Sequence, residues 1–139
     1  MNAKKIAVHT LRWIATPFVY LITVCMGYYL GRIIFHLNYT DLGLVYIKNT
    51  TAQSYITDFG NLVAHIIGTG IAMWIAGAVA PSHKIGVART LGAIHAAIVT
   101  AILVLCIAVG TDVPLYDIAG SIGILLGIAI TWHTVNKIF

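Results

Sequence analysis

Four stretches of this chain are almost free of charge, and the polar residues collect between them. From Phe59 to Ala80 there is no charged residue, and at ~1.5 Å per residue the run reaches roughly 33 Å, enough to cross the ~30 Å hydrocarbon layer of a bilayer. The same pattern predicts spanning helices over about 14–35, 85–110 and 118–135. Within the third span the one charge, Arg89, lies within two turns of the end. Pro81-Ser82-His83-Lys84 makes a tight polar turn between the second and third spans, because proline lacks an amide hydrogen and disfavours helix at Ala80. The predicted fold is an all-α membrane protein, an antiparallel bundle of four transmembrane helices in a single domain.

Small residues recur at every fourth position in each span. The rows are Thr23, Gly27 and Gly31; Gly60, Ala64, Gly68, Ala72, Ala76 and Ala80; Ala88, Gly92, Ala96 and Thr100; and Ala119, Gly123, Gly127 and Thr131. Such rows let helix backbones approach closely where lipid supplies no hydrophobic drive for association. Their number exceeds the needs of one bundle and points to further contacts between chains, as a homo-oligomer or with other membrane proteins.

Between the spans the pattern is less regular. Residues 3–14 carry Lys4, Lys5, His9 and Arg12 largely opposite Ile6, Trp13 and Ile14, so they form either a short interfacial helix or an extension of the first span. Pro17 suits the first turn of a helix, which places the start of the first span near Thr16. Residues 37–57 are the one sizeable segment outside the bilayer. Strand-favouring residues at 44–47 and 54–57 flank a polar centre there, which predicts a small hairpin or an interfacial loop.

Composition agrees with the pattern: of 139 residues, 60% are hydrophobic and only 9% charged, outside the range of a water-soluble domain. The net charge of +4 does not indicate nucleic acid, because the basic residues form no stripe with interleaved aromatics. Their placement along the chain is more informative. With the Lys84 turn in the cytoplasm, Lys4, Lys5, Arg12, Lys84, Arg89 and Lys137 lie inside and only Arg32 and Lys48 outside, which satisfies the positive-inside bias. Asp41, Asp58, Asp112 and Asp117 then all lie outside. The expectation is an integral protein of a bacterial cytoplasmic (inner) membrane with both termini in the cytoplasm. Trp13, Trp74 and Trp132 fall near the inner boundary, while Tyr28, Tyr29, Tyr39, Tyr46, Tyr55 and Tyr116 fall near or beyond the outer one, as aromatic belts do.

Chemistry has few candidates. There is no glutamate, no acid within a span and no phosphate-binding glycine loop, and Cys25 and Cys106 lie within spans without a C-x-x-C spacing. No catalytic residue, metal site or cofactor is assigned. His65 and His95 remain. On a helical wheel each lies within about 60° of the small-residue row of its own helix, so each should face other helices.

Either they hydrogen-bond within the bundle, or they mark an ion, proton or small-solute path that Asn61, Thr69 and Thr100 would extend. A haem-b electron carrier is a third reading, but His36 and His133 sit near opposite boundaries and form no level pair with the central two. Arg32 has Asp58 and Asp117 as candidate ion-pair partners at the outer ends of neighbouring spans. The leading functional expectation is a non-catalytic membrane protein that acts through helix packing, with a channel or transporter past His65 and His95 as the alternative.

Overall fold

The computed structural model describes residues 3–40 and 50–139, with side chains for all of these except 31, 32, 34–40, 50–57 and 116. Four helices follow one another: α1 (Ala3–Thr40), α2 (Thr50–Val79), α3 (Lys84–Ala108) and α4 (Leu115–Thr134), with a final 3-10 turn at Val135–Lys137. All four are long and apolar enough to cross a membrane, over Ala3–Leu30, Asp58–Val79, Lys84–Ala108 and Asp117–Lys137. The protein is an all-α, four-span integral membrane bundle. Lys4, Lys5, Arg12, Lys84, Arg89 and Lys137 gather at one end, the basic end; Asp58, Asp112 and Asp117 lie at the other, the acidic end.

The structure decides one alternative that the sequence leaves open, in favour of an extended first span, and departs from the sequence reading in two places. At 38 residues α1 is roughly 57 Å long, far more than the hydrocarbon layer requires, so residues 3–14 extend the spanning helix and do not form a separate one. Pro17 accordingly lies inside the helix and not in its first turn. Its missing amide removes one backbone bond, a loss that spanning helices tolerate where neighbouring groups compensate. The second departure concerns the loop of 37–57: α2 begins at Thr50, so residues 54–57 are helical and not a strand. Strand propensity is a weak signal beside the gain of propagating an existing helix. The other arm expected of that hairpin, 44–47, lies outside the described residues, as do Asp41 and Tyr46.

Turn chemistry fixes both ends of α3. His83 adopts a left-handed conformation, φ 51°, and reverses the chain after Pro81. At the far end Gly110 has φ 72° and the Thr111 amide donates to Cys106 O at 3.1 Å while the Gly110 amide donates to Ile107 O at 3.1 Å, the paired bonds of a Schellman cap. Glycine is favoured there because a Cβ is strained at that φ.

α2 is the hub, with α1 and α4 running along it and α3 touching α2 and α4 more sparsely. The small-residue rows explain the close contacts. A methyl group on Gly27 would lie 2.5 Å from Gly68 Cα, so α1 and α2 meet backbone to backbone. On the other side Gly127 leaves room for Ile66 O, only 2.6 Å from where its Cβ would be, and Gly123 does the same for Leu62 O. Gly60, Ala64, Gly68, Ala72, Ala76 and Ala80 are all buried.

The rows of α1, α2 and α4 are thus occupied largely within the chain and do not argue for contacts between chains. Gly31 lies among the side chains not described. On α3 the row loses its neighbours along its length: Ala88 and Gly92 are buried, Ala96 is half-buried and Thr100 is exposed. No residue of α3 after Gly92 is buried.

Candidate functional site

The two ends of the bundle are built differently. At the basic end Ala72, Met73, Ala76, Ala80, Ala88 and Val135 have no exposed surface, and Met73 fills the hollow left by Gly92, whose Cβ would stand 2.8 Å from Met73 Cε. Two arginines close this end. Arg12 of α1 donates from Nε to Val79 O at 2.9 Å and from Nη2 to Ala78 O and Ala80 O at 3.4 Å. Arg89 of α3 donates to Trp132 O and Asn136 Oδ1 at 3.1 Å, with its guanidinium 5.2 Å from the Trp132 ring. Each guanidinium reaches the C-terminal end of a neighbouring helix, where carbonyls lack intrahelical partners and a positive charge complements the helix dipole.

Towards the acidic end the seam between α1, α2 and α4 opens into a cavity of about 430 Å³. α1 contributes Val24, Cys25, Tyr28 and Tyr29; α2 contributes Asn61 and His65; α4 contributes Asp117, Gly120, Ser121 and Ile124. Gly120 makes this arrangement possible, since its Cβ would lie 2.7 Å from Asn61 Nδ2 and 3.0 Å from the His65 ring. Asp117 sits in the first turn of α4, where its carboxylate complements the helix dipole. Ser121 donates its hydroxyl hydrogen to Asp117 O at 2.8 Å.

Both central histidines meet a tyrosine of α1. The Tyr28 ring stacks on His65 with centroids 4.9 Å apart and planes at 30°. Tyr20 Oη lies 2.8 Å from His95 Nδ1, a hydrogen bond whose direction follows the imidazole tautomer, and the rings meet edge to face at 5.8 Å. Tyr20 and Tyr28 are eight residues apart, about 12 Å along α1, so the two pairs occupy successive depths. Tyr28 is therefore turned inward, and its place near the boundary did not reveal this; Tyr20, the one buried hydrophobic residue among the described side chains of α1, was not singled out by the sequence at all. The available signal was the spacing Thr16, Tyr20, Thr23, Gly27, which marks the inward face of α1.

The other expected residues divide. Asn61 lines the cavity with His65, and Thr69 is buried one turn deeper, its hydroxyl without a hydrogen-bond partner among the described residues. Thr100 is exposed on α3 and forms no part of the cavity lining. The expected ion pair rests on Arg32, whose side chain is not described. Its two candidate partners differ: Asp117 borders the cavity, whereas Asp58 is 8% exposed and its Oδ2 has no hydrogen-bond partner among the described residues.

For haem, His133 is exposed at the basic end and the His36 side chain is not described. Among the described residues no three His, Cys, Asp or Glu side chains converge as metal ligands do. Cys25 and Cys106 are free thiols. No protein-family model, curated protein or solved structure matches the chain.

Proposed function

We propose that this protein is a non-catalytic membrane protein that admits a small ion or polar solute from its acidic end, past His65 and towards His95. The observation that carries this reading is the cavity itself: a carboxylate, an amide, an imidazole and a hydroxyl converge on open space within a membrane-spanning bundle. Polar and ionisable groups are costly in the hydrocarbon layer and mark pathways when they face a shared interior space. Below the cavity the packed Ala72, Met73 and Ala76 seal the seam, so passage requires that seal to open. By the positive-inside bias the cavity faces away from the cytoplasm. Proteoliposomes with an imposed pH, sodium or potassium gradient test the reading. Dissipation that slows in His65→Ala and in Ser121→Leu, which crowds the cavity, supports it; a leak equal to that of empty liposomes for all three gradients overturns it.

A second reading, self-association, draws on α3. Ala93, Ala97 and Ala101 form an exposed small-residue row on the half of this helix where no residue is buried. That surface suits a second copy of the chain. Ala97→Trp would then reduce energy transfer between differently labelled copies in one vesicle, and absence of transfer in the parent protein excludes this reading.

A further inference from the structure

We propose that the basic end carries a binding site for the phosphate of an anionic phospholipid, between the first turns of α1 and the α2–α3 turn. A groove of about 410 Å³ is lined there by Lys4, Lys5, Val8, His9, Arg12 and Pro81. Residues 4, 5, 8, 9 and 12 share one face of α1, because three- and four-residue steps return to the same side of a helix. That face is directed at the turn between α2 and α3. Three positive charges and an imidazole therefore line one recess, and among the described residues no Asp side chain lies beside them: Asp58, Asp112 and Asp117 are at the opposite end. Like charges brought together without a counter-charge repel, and an anion in the recess relieves the repulsion.

Depth selects the source of that anion. Arg12 is fixed at the end of α2 by its bonds to Val79 O, Ala78 O and Ala80 O. Lys4 lies eight residues further out, about 12 Å along the axis, which spans the headgroup layer beyond the hydrocarbon. Leu11 and Ile14 are exposed beside it, at 65% and 58%, and offer an apolar surface for acyl chains. The site consists of side chains from three turns of α1 and of the proline turn. Headgroup phosphate at this level meets the two lysines directly, while Val8 and Pro81 form the apolar part of the lining. This site is independent of the cavity at the acidic end.

Native mass spectrometry of the full chain, released from detergent with equal phosphatidylglycerol and phosphatidylcholine, tests the proposal. One phosphatidylglycerol should be retained in preference, and Lys4→Ala with Lys5→Ala should weaken its retention roughly tenfold or more. The paired control, Lys84→Ala with Lys137→Ala, removes the same charge elsewhere at the same end and should change retention far less. Both lysines of the groove are exposed, so helix content by circular dichroism should be the same in every variant. Equal retention of the two lipids overturns the proposal, as does an equal loss in the control variant. Displacement of the lipid by inorganic phosphate at equal concentration would assign the site to a soluble anion instead and overturn the lipid as its ligand.

Discussion

The half of the bundle near the basic end and the half near the acidic end use the same helices for opposite purposes. In the basic half, alanine, glycine and Met73 fill the seam between the helices, and Arg12 and Arg89 tie the helix ends together. In the acidic half, glycine brings α4 so close to α2 that Asn61 and His65 stand at its backbone, and the neighbouring seam between α1 and α4 is left open. Small residues alone therefore do not determine whether a seam is closed. What determines it is whether the positions beside them are apolar and sized to fill, as Met73 is, or polar and held apart, as His65 and Asp117 are.

The contrast can be broken most forcefully at the α1–α2 crossing. Gly27→Leu forces a side chain into the Gly68 backbone, and we expect a loss of about 3 kcal/mol in unfolding free energy, measured by denaturation in mixed micelles. Next is the seal. Met73→Ala should cost about 2 kcal/mol through lost packing contacts, whereas Ile98→Ala, on the exposed side of α3, should fall within about 0.5 kcal/mol of the parent.

Arg12→Ala leaves the last carbonyls of α2 without their donor, and a loss of about 1.5 kcal/mol is expected in the same titration. Tyr20→Phe removes one hydrogen bond to His95 and should cost least, about 0.6 kcal/mol, since polar contacts inside membranes exchange for others on unfolding. Tyr20 packs in one buried cluster with Ala72, Met73 and Ala76, so a Tyr20→Phe costlier than Met73→Ala would make the hydrogen bond to His95, and not apolar packing, the main source of stability there.

Much of the fold was legible in the sequence because hydropathy reports directly on where hydrocarbon surrounds the chain. The uncharged run from Phe59 to Ala80 marks α2, and Pro81 and Gly110 mark where helices end, since each constrains its own backbone. The extension of α1 to Ala3 and of α2 back to Thr50 was less legible, because beyond the bilayer hydropathy no longer separates helix from loop. At the site the sequence supplied His65, Asn61 and Asp117 but not their joint placement. Tyr28 illustrates the reason: an amphipathic ring near a boundary is equally suited to the headgroups or to an inward seam, and contacts between helices, Gly27–Gly68 and Tyr20–His95 among them, fix its rotation about α1. The thinning of contacts along α3 depends on how far apart whole helices stand, which no local pattern encodes.

Water should enter the bundle from the acidic end as far as His65 and stop above Met73. The direct measurement is reactivity towards a membrane-impermeant thiol reagent in intact proteoliposomes, with serine in place of both native cysteines and one cysteine introduced at a time. His65→Cys should react, while Ile67→Cys, which faces lipid at a similar depth, and Ala76→Cys, inside the seal, should not. An unreactive His65→Cys, or one no faster than Ile67→Cys, would contradict the account.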